Sequence, residues 1–263
     1  MSIDRDYSII DFVPGGAELP ERWLVDATGF REMRAAIGQA RLNVPYGPHE
    51  RHKLDLFYPG GKPVGLVVFV HGGYWRRFDR GYRSHYARGL TENGWAAALP
   101  SYRLAPEARI GEITVEIARS VEVAADLVAG PIRLAGHSAG GHLVARLGCR
   151  DIALSGEVRA RLARIMAISP VSDLRPLTQT AMNVDLRLDP AETEAESPVL
   201  HQAPACPVTV WVGAEERPVF LDQARWLAEA WGAEMRIDPG RHHFDLLDGL
   251  EAPESPLIAA LLA

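Results

Sequence analysis

Residues 131–148 read PIRLAGHSAGGHLVARLG, and this stretch decides the fold. The apolar piece 131–136 predicts a short strand, and the small and apolar residues of 139–148 predict a buried helix. Between them, Gly136, Ser138 and Gly140 form a G-x-S-x-G pattern. Glycines are needed at this spacing where a Cβ would clash in a sharp turn from strand to helix. The stretch therefore predicts a strained turn that presents a serine hydroxyl at the positive end of a helix dipole.

Short apolar runs alternate with amphipathic runs on both sides of this turn, which is typical of an α/β fold with a mostly parallel central sheet and helices on both faces. Further strands are predicted at 52–59, 65–70, 95–102, 163–169, 207–213 and 233–238. Helices are predicted at 27–40, 82–92, 113–128 and 219–231. Residues 46–263 are predicted to form one domain, preceded by an N-terminal segment, 1–45, that contributes to a lid. The pattern weakens over 170–204, where we expect a small cap-like excursion.

Composition excludes several classes of protein. With 263 residues, of which 47% are hydrophobic and 24% charged, the chain can bury a large core. A net charge of −6 offers no basic surface for nucleic acid. Cys149 and Cys206 lack the spacing of a disulfide framework or a metal site. Without a signal peptide or an apolar run of membrane length, we expect a cytoplasmic protein that acts on a small molecule, and the sequence leaves a homodimer open.

A second glycine pair follows the apolar strand at 65–70. Residues 71–75 read HGGYW, and glycines directly after a buried strand let the backbone turn over a pocket with bare amide groups. Together with the amide that follows the serine, this predicts an oxyanion hole formed by Gly73, Tyr74 and Ala139. The alternative is a simple tight turn at 72–73.

The same segment supplies candidate substrate contacts. Tyr74 and Trp75 could stack on an aromatic group, and His71 begins the loop, so all three are predicted pocket residues. Tyr74 and Trp75 are alternatively packing residues of the core. Arg76 and Arg77 could pair with a substrate carboxylate or form a solvated charge run.

The general base should follow the last strand, at the carboxyl edge of the sheet. His242 and His243 occupy that place, and we expect His243 to be the base. An acid that orients it should follow the preceding strand, where Glu216 lies three residues past Gly213, with Glu215 as the second choice. The chain order of serine, acid and histidine is then that of the nucleophile-elbow enzymes.

These motifs resemble a known family. HGG at 71, YRLAPE at 102–107 and GHSAGGHL at 136 are similar to the α/β-hydrolases related to hormone-sensitive lipase. Within that group, the aromatic pair after HGG, residues 218–231 and HHFDLL at 242 resemble the kynurenine formamidase branch. Relatives usually carry aspartate where Glu216 stands.

The resemblance implies hydrolysis of N-formylkynurenine or a similar aryl formamide by the triad Ser138, Glu216 and His243, with no metal or organic cofactor. A carboxylesterase or thioesterase of broad small-acyl preference would use the same residues. A third alternative is a catalytically inactive hydrolase fold that only binds a ligand.

Overall fold

The computed structural model describes residues 3–263 and contains an eight-stranded sheet. Its strands are β1 (Ala40–Pro45), β2 (Lys53–Phe57), β3 (Leu66–Val70), β4 (Ala96–Pro100), β5 (Ile132–His137), β6 (Leu162–Ile168), β7 (Val208–Gly213) and β8 (Glu234–Asp238). They lie in the order β1-β2-β4-β3-β5-β6-β7-β8. The pairs β1 with β2 and β2 with β4 are antiparallel, and the remaining pairs are parallel. The predicted fold class is confirmed.

Helices cover both faces of the sheet. They are α1 (Ile3–Tyr7), α2 (Leu19–Ala36), α3 (Ala87–Glu92), α4 (Ile110–Leu127), α5 (Ala139–Gly148), α6 (Gly156–Arg161), α7 (Asn183–Leu186), α8 (Pro190–Glu196), α9 (Pro218–Trp231) and α10 (Pro256–Leu262). Short 3-10 helices occur at Ile10–Phe12, Gly16–Glu18, Arg80–Tyr82, Ser84–Tyr86, Arg175–Gln179, Pro198–Leu200 and Asp245–Leu250. None of the helices within residues 3–263 combines the length and apolar character that a membrane crossing requires.

The central strands are buried on both faces, as their continuous apolar runs predict. All five residues of β3 are buried. Leu66, Val68 and Val70 pack into one hydrophobic cluster, and Val67 and Phe69 pack into another on the opposite face of the sheet. Removing each such Val or Leu side chain from water contributes about 1.5–3 kcal/mol. Helix α4 packs its apolar stripe, which includes Ile113, Ile117 and Val121, against the same core as β3.

The sequence analysis missed β1 and shifted the first long helix. Helix α2 begins at Leu19, eight residues before the predicted start, with a proline in its first turn. Strand β1 follows directly and has an irregularity between Arg41 and Val44, with Asn43 at φ 59°. The apolar residues of β1 still alternate with exposed ones, but two of its six residues, Asn43 and Pro45, belong to types that are rare in strands, which hid the strand in the sequence.

The segment 170–204 holds short helices, α7 and α8, and two 3-10 turns rather than long regular elements. The division of the chain into a segment 1–45, a domain 46–263 and a cap-like excursion stays a prediction. Residues 40–45 contribute the edge strand β1.

Candidate active site

Ser138 lies on the predicted turn between β5 and α5. Its backbone angles, φ 57° and ψ −116°, belong to a region that non-glycine residues rarely adopt. A Cβ at Gly136 would lie 2.1 Å from the carbonyl oxygen of Gly140, and a Cβ at Gly140 would lie 2.0 Å from that of Val70. Glycine is therefore required on both sides of the serine because neighbouring backbone fills the space.

His243 and Glu216 meet at the carboxyl edge of the sheet. The imidazole Nδ1 of His243 lies 2.6 Å from Oε2 of Glu216, and both side chains are buried. With the carboxylate as acceptor, Nδ1 carries the proton, and the lone pair on Nε2 remains free to accept another. Ser138 and His243 line the same cavity. The structure thus brings together the three residues that the sequence predicts as a triad.

Glu216, and not Glu215, is the acid that reaches His243. The second oxygen of Glu216, Oε1, accepts hydrogen bonds from the Gly213 amide at 3.0 Å and from the Ser169 hydroxyl. Glu215 is exposed to solvent. Ser169 is a positioning contact that the sequence analysis missed. The sequence offered one signal. Ser169 directly follows β6, Glu216 comes shortly after β7, and these two strands are neighbours in the sheet.

His137 supports the loop that carries His243. Its Nε2 lies 2.8 Å from the carbonyl oxygen of His243, and the two rings are 4.5 Å apart at their centroids. Burial holds the pKa of His137 well below its ordinary value, and the nearby guanidinium of Arg83 adds to the effect. His137 is therefore neutral near pH 7 and serves as a hydrogen-bond donor to the loop.

The three predicted oxyanion donors have free amides. Within residues 3–263, the amides of Gly73, Tyr74 and Ala139 donate no hydrogen bond to a protein acceptor. Ala139 is the first residue of α5, where helix amides have no acceptor inside the helix. Gly73 at φ 122° and Tyr74 at φ 51° bend the loop after β3 into a left-handed conformation. Gly73 lines the same cavity as Ser138, so its amide is available to an anionic oxygen.

The cavity beside Ser138 has a volume of about 290 Å³. Much of its wall is aromatic: Trp23, Phe78 and Phe244 lie together, with ring centroids 5.9 Å apart for Trp23 and Phe78 and 5.3 Å apart for Trp23 and Phe244. Tyr74, a predicted pocket residue, also lines it. Such a surface suits a flat apolar group.

The other two predicted pocket residues lie behind the cavity wall, which corrects that part of the sequence analysis. Trp75 is 0% exposed and packs edge-on against His142 in the core, with ring centroids 5.0 Å apart. Its φ of 55° turns the side chain inward. His71 is buried, stacks on Tyr102 with centroids 4.4 Å apart and contacts the carbonyl of Gly72 at 2.8 Å. Both residues support the loop 71–75 from its core side rather than contacting the cavity.

The N-terminal residues form part of the cavity wall, including Tyr7 and Ile9. Polar contacts fix them there. The hydroxyl of Tyr74 donates to the Tyr7 carbonyl at 2.7 Å, and Gln223 donates to the Tyr7 hydroxyl at 3.0 Å. Arg217 pairs with Asp6 at 3.5 Å. No sequence pattern identifies these partners, because each contact joins residues far apart in the chain.

One group away from this cavity has the donor atoms of a metal site. Cys149, Asp151 and His201 offer ligand atoms within 4.8 Å of one another. Arg146 already contacts Asp151 at 2.7 Å, and burial raises the pKa of the Cys149 thiol to about 11. A cysteine binds a metal ion as the thiolate, so this group is poorly suited to hold an ion.

Comparison with known proteins agrees with this geometry. A family model described as alpha/beta hydrolase fold matches residues 67–203, just over half of the chain. The chain belongs to the α/β-hydrolase fold family, and the predicted assignment to the hydrolases is confirmed.

Particular relatives are similar over most of their length. A solved structure of a candidate thioesterase from Silicibacter sp. tm1040 is 50% identical, with a TM-score of 0.97, and each chain covers 100% of the other. The kynurenine formamidase of Salmo salar is 26% identical over 88% of this chain and 84% of its own. The kynurenine formamidase of Danio rerio is 28% identical over 73% of this chain and 69% of its own.

Proposed function

We propose that the protein is a serine hydrolase that removes a formyl group from an aryl formamide of the N-formylkynurenine type. The observation that carries the proposal is the buried hydrogen bond of 2.6 Å between His243 and Glu216, beside the strained turn that presents Ser138. The aromatic cavity wall supports an aryl leaving group, and the likeness to the kynurenine formamidases of two fish supports the formamide.

In the proposed mechanism, Oγ of Ser138 attacks the formyl carbon while Nε2 of His243 takes its proton. Glu216 holds the proton on Nδ1 and stabilises the imidazolium that forms. The amides of Gly73, Tyr74 and Ala139 receive the negative oxygen of the tetrahedral intermediate.

The C–N bond then breaks, and His243 returns the proton to the nitrogen of the leaving aryl amine. Water, deprotonated by His243, attacks the formyl ester on Ser138. This second attack releases formate and restores the hydroxyl. His243 thus carries each proton in turn: from Ser138 to the leaving amine in the first half, and from water back to Ser138 in the second.

A thioesterase or carboxylesterase is the second candidate, and the 50% identity to the candidate thioesterase from Silicibacter supports it. Both reactions use the same triad, so they differ in the leaving group. Values of kcat/KM for N-formylkynurenine, p-nitrophenyl acetate and acetyl-CoA, measured side by side, distinguish them. We expect a preference of at least about a hundredfold for the formamide, equal to about 2.7 kcal/mol in barrier. A preference for acetyl-CoA would support the thioesterase instead.

The Ser138→Ala variant tests the nucleophile. Loss of the hydroxyl should lower kcat by about 10⁴- to 10⁶-fold, because the covalent step becomes impossible. A fluorophosphonate probe should label the wild-type peptide that contains Ser138 and leave the variant unlabelled. Labelling of another residue would refute Ser138 as the nucleophile, and no labelling of a correctly folded wild type would support a ligand-binding protein without catalysis. We further propose a cytoplasmic enzyme with no nucleic-acid partner, and light scattering tests for a homodimer.

A further inference from the structure

Arg83 is a buried arginine in the wall of the cavity that holds Ser138. Its side chain is 2% exposed, and it follows the 3-10 turn Arg80–Tyr82. Within residues 3–263, its guanidinium forms no ion pair with a carboxylate, and its Nε has no hydrogen-bond partner. Its one polar contact is a long one of 3.4 Å, from Nη1 to the hydroxyl of Tyr86.

A buried charge without a partner is unusual, because desolvation is costly unless an opposite charge or several hydrogen bonds replace the water. Arg146, which is buried to the same degree, pairs with both Asp151 and Glu196. Arg83 instead has aromatic rings around it: Cζ lies 3.6 Å from the centroid of Trp23 and 5.5 Å from that of Phe78. Such cation–π contacts hold the guanidinium in place but do not occupy its N–H donors.

The other charged residues of the cavity wall are exposed to solvent or already paired. Arg76 pairs with Asp185 at 2.5 Å, and Arg77 is exposed. Asp4 also lines the cavity, but it is exposed, and its Oδ1 accepts a hydrogen bond of 2.6 Å from the amide of Ala181. Arg83 is therefore the buried cation that faces the cavity with donors to spare.

The charge of Arg83 acts close to the reacting groups. Burial is the main cause that lowers the pKa of His137, and Arg83 adds to the effect, as it does for His71. His137 is adjacent to Ser138 in the chain and contacts the loop of His243. A molecule that reaches Ser138 therefore enters the field of the guanidinium.

We propose that Arg83 is the carboxylate-binding residue of the substrate site. A carboxylate on the leaving group of the substrate would pair with the planar guanidinium. The aryl ring of the same leaving group would pack among the aromatic residues of the wall. The substrate class is thus an acylated aryl compound that carries a carboxylate. The inference rests on hydrolysis at Ser138, the proposed function, and holds for an ester as well as for a formamide.

Two aryl acetates of nearly equal shape test the proposal: 4-acetoxybenzoate, which is anionic, and 4-acetoxybenzamide, which is neutral. In the Arg83→Met variant, kcat/KM for the benzoate should fall by roughly 10- to 100-fold, mainly through KM, as expected for loss of a charged hydrogen bond. The benzamide should change by less than about threefold, since it has no charge to lose. Arg83→Lys should recover part of the loss. Arg150→Met is the matched control, because it removes an exposed cation that does not line the cavity.

Equal losses on both acetates would show that Arg83 only supports the fold of the site, and no loss on the benzoate would show that it does not contact the carboxylate. Either result overturns the proposal. Calorimetric binding of 4-hydroxybenzoate to wild type and Arg83→Met tests the charge pair without turnover. Weaker binding to the variant, together with an absence of hydrolysis by the wild type, would contradict the proposed function and leave the anion site standing.

Discussion

Replacement of Glu216 by glutamine keeps the shape of the side chain and removes one negative charge at a site where three donors converge. Oε1 accepts from the Gly213 amide and the Ser169 hydroxyl, and Oε2 accepts from Nδ1 of His243. In the variant, one oxygen becomes an NH₂ group. The amide oxygen should stay on the side with two donors, because the backbone N–H of Gly213 cannot turn away.

The NH₂ group then faces His243 and donates to Nδ1. The imidazole must carry its proton on Nε2, where it can no longer accept the proton of Ser138. Loss of the correct tautomer in a triad lowers kcat by about 10³- to 10⁴-fold, which equals about 4–5.5 kcal/mol of transition-state stabilisation. We expect a loss of this size, with little change in the free energy of unfolding.

The assay is hydrolysis of p-nitrophenyl acetate at pH 7.5, beside urea denaturation to show that the variant is folded. Glu215→Gln is the matched control, because it removes the same charge from an exposed neighbour. A Glu216→Gln enzyme within about threefold of wild type would refute the assignment of the acid, as would an equal loss in the control.

Two further predictions concern stability. Gly136→Ala should cost at least about 3 kcal/mol in the free energy of unfolding, because the new Cβ would lie 2.1 Å from the carbonyl oxygen of Gly140. Gly29→Ala, at an exposed helix position with no atom within 4 Å, should instead stabilise by up to about 1 kcal/mol, and equal effects in urea melts would contradict the packing account. Burial lowers the pKa of His71 to about 4 and that of His142 to about 3. Since the unfolded chain takes up these protons near pH 6.5, the free energy of unfolding should fall between pH 6.5 and 4 by up to about 1.4 kcal/mol per pH unit for each histidine. Urea melts at pH 7 and 5 with equal midpoints would refute this, and His142→Gln should make the slope shallower.

The fold and the central turn could be predicted because local patterns determine them. The apolar run of β3 and the glycines around Ser138 leave few other conformations open. The choice of Glu216 over Glu215 was also accessible, since an acid three residues after Gly213 can fold back onto that residue's own amide. These features depend on residues that are near one another in the chain.

The remaining features of the site depend on contacts between distant segments. Trp75 looked like a pocket residue, but a positive φ turns it into the core against His142. The position of Arg83 in the wall depends on Trp23, which lies 60 residues earlier in the chain. The hydroxyl of Ser169 reaches Glu216 across two neighbouring strands. Such contacts have no fixed spacing, so a single sequence does not predict them.

The attachment of Tyr7 and Ile9 to the cavity has an evolutionary consequence. The reacting groups follow strands of the central sheet. The N-terminal part of the cavity wall, around Tyr7 and Ile9, is instead held by a few polar contacts, such as those of Tyr74 and Gln223. Amino-acid substitutions in this part of the wall can alter which molecules fit the cavity without displacing any atom that takes part in bond cleavage. Divergence of substrate range among similar chains can therefore begin at wall positions such as Tyr7 and Ile9 while the chemistry stays the same.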